Sequence, residues 1–138
     1  MANPWKLKKG TPIVINVIAV AAIDKGSPAY FVAQAATQAA DGGTVDIVMA
    51  ADATAGQTDA IAWMPNGEVF EVKVATGTQL YNGDDVFLAA SNTVDDGSLN
   101  QQRCGTMVDY NPGSGGCAQI AVWTAKATMR NYGDASGT

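Results

Sequence analysis

The sequence of 138 residues contains no histidine, only four leucines and a charged fraction of just 15%. Without histidine the commonest general base and metal ligand is missing, and with it the Ser-His and Cys-His nucleophile pairs. Carboxylate or lysine chemistry stays open, but an enzyme is not expected, and no cofactor or metal is assigned. Against the four leucines stand 24 alanines and 20 valines and isoleucines, a balance that favours strands over long helices. Small side chains each contribute little at roughly 25 cal/mol per Å² buried. Contacts with other subunits are therefore expected to add stability.

Charge is scarce and unevenly placed. The net charge is −5, which argues against nucleic acid as a partner. Yet residues 1–10 carry Lys6, Lys8 and Lys9 and no acid, while the rest of the chain holds five basic and 13 acidic residues. A short cationic arm precedes an acidic body. Residues 1–12 are expected to form this extended arm, 13–130 a single β-rich domain, and 131–138 a polar tail.

The segment Ile13–Ile23 reads IVINVIAVAAI, apolar on both alternating faces, as in a strand buried on two sides or packed on another subunit. Ile13, Ile15 and Val17 are its candidate contact residues. Behind Lys6, Lys8 and Lys9, with Ala19-Val20-Ala21 at its end, it also has the outline of a signal peptide. Asn16, Pro12 and the Val/Ile bias speak against that, and the segment is expected to stay as the first strand of the domain. It is too short for a membrane span, which needs about 20 apolar residues. No membrane partner is expected.

Further on, Ala29–Ala40 begins like a strand and continues Ala/Gln-rich, so a short helix is expected near 33–40. In Thr44–Met49, Val45, Ile47 and Met49 should face inward, with Thr44 and Asp46 outward. Pro65-Asn66-Gly67, between Gln57–Met64 and Glu68–Val74, signals a hairpin. In its second arm Phe70, Val72 and Val74 share one face. A strand Val86–Ala90, a polar loop over 95–102, and strands Arg103–Tyr110 and Cys117–Trp123 complete the pattern. Short strands between frequent turns predict an all-β fold, a compact sandwich or a partly open barrel. There is also an echo: Gly26-Ser27-Pro28-Ala29-Tyr30-Phe31-Val32-Ala33 returns 57 residues later as Gly83-Asp84-Asp85-Val86-Phe87-Leu88-Ala89-Ala90, and Met107 stands to the second copy as Met49 does to the first.

Chemistry-bearing patterns are thin. Cys104 and Cys117 sit on neighbouring strands, as a disulfide or as two free thiols, and cannot make a zinc site without histidine. Asp84-Asp85 and Asp95-Asp96 lack EF-hand spacing and read as solvated turns. Glu68 and Glu71 differ in parity along a strand, so they make no glycosidase pair. Gly113-Ser114-Gly115-Gly116 lacks the Lys and the following helix of a phosphate loop. The most suggestive stretch is Trp5-Lys6-Leu7-Lys8-Lys9. Extended, it puts an aromatic anchor and Leu7 on one side and two lysines on the other, a pattern suited to attachment on an acidic surface.

The Gly turn before Pro28-Ala29-Tyr30-Phe31, the run Asn66-Gly67-Glu68-Val69-Phe70-Glu71-Val72, and Asn82-Gly83-Asp84-Asp85-Val86-Phe87-Leu88 together resemble the DUF2190-type capsid cement family of tailed bacteriophages. The likeness spans roughly residues 24–123; the loop 95–102 and the hairpin 112–116 depart from it. The resemblance implies a decoration protein on the outer surface of the virion, made in the host cytoplasm. It would bridge major capsid protein subunits as a homotrimer, less often a dimer, with the arm reaching over them. Two other readings remain: an adhesion module binding host glycans through Trp63, Tyr81, Tyr110 and Trp123, and a small carboxylate-dependent hydrolase.

Overall fold

The computed structural model describes residues 3–97, 101–110 and 116–123. The fold is all-β, with eleven strands and a single 3-10 turn at Ala90–Asn92 among the described residues. The strands are β1 (Lys6–Lys9), β2 (Ile13–Ala19), β3 (Pro28–Val32), β4 (Ala35–Gln38), β5 (Ile47–Met49), β6 (Ala60–Met64), β7 (Asn66–Lys73), β8 (Asp85–Leu88), β9 (Val94–Asp95), β10 (Arg103–Tyr110) and β11 (Cys117–Trp123). Strands β2 to β6 close into a five-stranded barrel in the order β2-β4-β3-β5-β6. The others form a six-stranded sheet, β1-β7-β11-β10-β8-β9.

These two assemblies are copies of one plan. Replacing β2, β3, β4, β5 and β6 by β7, β8, β9, β10 and β11 converts every antiparallel pairing of the barrel into a pairing of the sheet. The register is kept as well. Pro28↔Val48 becomes Asp85↔Thr106, Tyr30↔Thr37 becomes Phe87↔Asp95, and Val48↔Trp63 becomes Thr106↔Ala121. Likewise Val14↔Trp63, Ile15↔Ala62, Asn16↔Ile61 and Val17↔Ala60 become Val69↔Ala121, Phe70↔Ile120, Glu71↔Gln119 and Val72↔Ala118. Even the parallel closure of the barrel, Ala19↔Ala36, survives in the sheet as a lone parallel bridge, Val74↔Val94.

The turn chemistry repeats in step. The Gly26 N–H donates to the Met49 carbonyl at 2.8 Å, and the Gly83 N–H to that of Met107 at 2.8 Å. The Met49 N–H donates to the Ser27 carbonyl at 2.9 Å, and that of Met107 to Asp84 at 2.9 Å. Gly26 and Gly83 hold φ of +85° and +93°, a region that a glycine enters without penalty. The sequence echo is therefore the trace of a tandem repeat: 13–64 is the first unit and 66–123 the second. Of the stretch 13–130 expected to be a single β-rich domain, the described residues form this pair.

Two cores follow. The barrel interior packs Val17, Ala19, Ile23, Ala29, Ala36, Ile47, Met49, Ala60 and Ala62, mostly alanine-sized as the composition implies. The larger core belongs to the second repeat, around Phe70, Leu80, Leu88, Met107 and Ile120, and it takes in Val45, Val48 and Ala39 from the first. Strand β5 is buried on both faces, with Ile47 and Met49 in one core and Val48 in the other. That shared strand joins the repeats.

Several expectations need correction. Residues 33–40 are not helical: Ala33 and Gln34 make a two-residue turn, and Ala35–Gln38 is a strand. Pro65-Asn66-Gly67 does not close a hairpin, because β6 pairs within the barrel and β7 within the sheet; it is the crossing point between repeats. Asp46 points inward and accepts the Phe31 N–H at 3.0 Å, which satisfies a carboxylate in a largely buried position. The polar tail 131–138, and Gly113 to Gly115 of the loop before β11, lie outside the described residues.

Candidate functional site

Residues 3–12 do not form a free arm. The alternation after Pro4 suits a strand, but that strand is used internally: β1 adds to the sheet against β7, with Lys6 opposite Glu71 and Leu7 opposite Phe70. Trp5 is 2% exposed and belongs to the larger core. Its indole Nε1–H donates to the Asn92 carbonyl at 2.8 Å, and its backbone N–H to that of Gly26 at 2.8 Å. It is thus anchored to a loop of each repeat. Trp5 is no anchor for an outside partner, and Leu7, partly buried against the same core, is little better placed.

What β1 offers outward is charge. Lys6, Lys8 and Lys9 are exposed, and none has an ion-pair partner among the described residues. Beside them runs a cleft of about 410 Å³ lined by Pro4, Trp5, Lys6, Leu7, Lys25 and Trp63. Its floor is apolar, with Trp63 set edge-on against Phe70 at 5.8 Å between ring centroids, and Lys6 and Lys25 stand among its lining residues. The molecule therefore carries a fixed cationic strip on an otherwise acidic chain.

The second surface is apolar. None of the five barrel strands contains a charged residue, whereas the sheet strands carry Lys6, Lys8, Lys9, Glu68, Glu71, Lys73, Asp85, Asp95, Arg103 and Asp109. Ile13 and Val14 on β2, Val32 on β3 and Ile61 on β6 are exposed, and Val20 follows β2 in the same state. Exposed apolar side chains on strands without charge suit a contact face. Of the three first-strand candidates, Ile13 is exposed at the start of β2, Ile15 is half-buried against the barrel interior, and Val17 is in the core. The both-faces-apolar pattern thus has two causes: one side of β2 fills the barrel and the other is left open.

The other candidates are dispersed. Cys104 and Cys117 are free thiols, one buried and one exposed. They lie on paired strands but at opposite ends: Cys104 is adjacent to Gly105, which faces Val122, while Cys117 faces Lys73 on the other side of β11. Several residues of strand separate them, on the order of 15–20 Å, far beyond the reach of a disulfide. Burial pushes the Cys104 thiol up to about 12. Asp95 is raised, first by desolvation and then by the charges of Asp96 and Asp41, although its carboxylate accepts the Gly97 N–H at 2.9 Å. That bond makes it a turn residue, and no cluster of three metal-ligating side chains occurs among the described residues. Trp63, Tyr81 and Trp123 make no ring contact with one another, and Trp123 instead covers Gly67. The aromatic platform that glycan binding needs is not assembled from them.

No protein-family model matches this chain, and no curated protein does. Among solved structures it is similar to "head fiber gp8.5 N base in bacteriophage phi29". The TM-score is 0.56 at 14% sequence identity, covering 81% of this chain and 94% of that one, a likeness of fold.

Proposed function

We propose that this chain is a structural protein of a tailed-bacteriophage head. It decorates the outer surface of the virion and bridges major capsid protein subunits, by contact and not by catalysis. The observation that carries the reading is the cationic strip: three unpaired lysines held on a strand whose position is fixed by Trp5, on a chain of net charge −5. A fixed row of like charges steers and orients a protein on an acidic surface at little entropic cost. The fold it shares with a phage head fiber base supports the same setting. The charge-free barrel wall supplies the apolar contact that a homo-oligomer requires.

Cement action on this view is mass action: a protein that binds only the intact, expanded shell stabilises it. Removing residues 2–10 is a poor test, since it takes Trp5 from the core. The clean test reverses charge on the exposed lysines. The triple variant Lys6→Glu, Lys8→Glu, Lys9→Glu, mixed with expanded empty heads and sedimented, is expected to bind about tenfold or more weakly, and wild-type occupancy is expected to fall with added salt. Occupancy unchanged by the three substitutions would overturn the reading.

A further inference from the structure

The two repeats differ in one respect that their shared plan brings out. In the second repeat β7 is flanked on both sides, by β11 and by β1, with Lys6 opposite Glu71 and Lys9 opposite Val69. In the first repeat the equivalent strand β2 has β6 on one side, but on the other meets β4 only at Ile18 and Ala19. The stretch that corresponds to the β1 contact, Val14 to Asn16, has no strand neighbour there among the described residues. The Ile18 and Val20 N–H groups donate toward that side, to Gln34 at 2.7 Å and Ala36 at 3.0 Å. By the alternation of a strand, the backbone groups of Val14 and Asn16 point the same way. Among the described residues they meet no strand. Val14 is 58% exposed and Ile13 57%.

An open strand edge is normally blunted by charge. The outer edge at β1 is, with three lysines; the two-residue β9 carries Asp95. The β2 edge carries none. Its chemistry also selects the occupant. Where β7 presents Glu68 and Glu71, the strand that fills the slot is rich in lysine; where β2 presents Ile13, Val14 and Asn16, the matching strand must be uncharged and apolar. Such a strand exists in this chain: β2 itself. Two copies that each carry a net −5 repel one another, and an uncharged edge is where they approach without bringing carboxylates together.

We infer that the vacant edge of β2 pairs antiparallel with the β2 edge of a second copy, joining two barrels into one continuous sheet across a twofold axis. Val14 of each copy faces Asn16 of the other, and the outward Val14 side chains add apolar contact beside the new ladder. This pairing is separate from shell attachment, which uses the lysines of β1.

Light scattering across a concentration series, with amide hydrogen exchange at Val14 and Asn16, tests it. The expected result is a dimer in which both amides are protected. Val14→Lys, at an exposed side chain, and Asn16→Pro, which removes an outward-pointing N–H, should each weaken self-association by at least about tenfold. They should also leave exchange protection in β7 unchanged, which reports an intact fold; Lys8→Glu should leave the mass alone. A Val14→Lys monomer that still sediments with heads supports the pairing and separates it from shell binding. A monomeric wild type, a trimer, a dimer indifferent to both variants, or protection of Val14 and Asn16 that appears only on heads would each overturn it, the last by giving the slot to a shell segment.

Discussion

Among single residues, Trp5 carries more of the architecture than any lysine near it. Its ring fills the larger core while its two N–H groups reach Gly26 in the first repeat and Asn92 in the second. Trp5→Ala leaves a cavity and removes the hydrogen bond to the Asn92 carbonyl, and should cost about 3–5 kcal/mol in urea-induced unfolding. Gly26 belongs to the same joint, since a β-carbon there would sit 2.7 Å from Pro4 and 2.9 Å from the Trp5 carbonyl oxygen. The two thiols should separate cleanly under a thiolate-selective alkylating reagent. Cys117 is expected to react in the native protein and Cys104 only after denaturation, because burial holds its thiol up to about 12, above the ordinary value of 9.0. In the alkaline range between those two values the unfolded chain loses the Cys104 proton and the folded one keeps it. Stability should therefore fall as pH rises through that window. Mass spectrometry of the labelled protein and melting curves above pH 9 check the two statements.

Among elements, the turn joining β3 to β4 is the least expected from sequence. Ala33 and Gln34 hold φ of +50° and +75°, where glycine and asparagine are at home and alanine is strained. The double change Ala33→Asn, Gln34→Gly keeps the two-residue turn and should raise stability by roughly 1 kcal/mol, read as an upward shift of the melting temperature. The same turn explains why residues 33–40 look helical on paper: without Asn-Gly to announce the reversal, an Ala/Gln run has no mark of a strand. Elements with clear punctuation were legible. Arg103–Tyr110 and Cys117–Trp123 have the boundaries that their flanking Gly, Pro and Asn imply, and Phe70, Val72 and Val74 share the buried face that their alternation predicts. Pro65-Asn66-Gly67 misled because local turn chemistry is the same whether a chain folds back on its partner or crosses to another sheet. The lysines of β1 were legible as an exposed cationic group. The loss of Trp5 to the core was not, since an extended Trp-Leu alternation reads alike for an outside partner and for the chain's own sheet.

For the whole molecule, repetition and charge tell one story. Two units of the same topology and register differ most in what lies outside them: the second has a lysine-bearing strand beside it and charged walls, while the first has walls without charge. The division gives the protein two kinds of surface, one suited to steering and one to burial, and the expected consequences for shell binding and self-association follow from keeping them on separate strands. The cationic surface was visible in the sequence as Lys6, Lys8 and Lys9, whereas the uncharged barrel wall emerges only once the strands are assigned to their sheets. The echo of Gly26–Ala33 in Gly83–Ala90 marks one turn and one strand of the repeat, and the remaining strands had diverged until only their pairings still matched.

The route of the chain through β1 has a last consequence, for synthesis. Lys6–Lys9 is made ahead of the barrel it does not join, and its place lies against residues 66–73, which leave the ribosome much later. A nascent chain that has completed the barrel still holds its leading strand and the Trp5 ring in water. Only when β7 emerges can that strand dock and fasten the two halves. The strand made before the barrel is thus the one that waits, and β1 serves as the latch that shuts after β7 has formed.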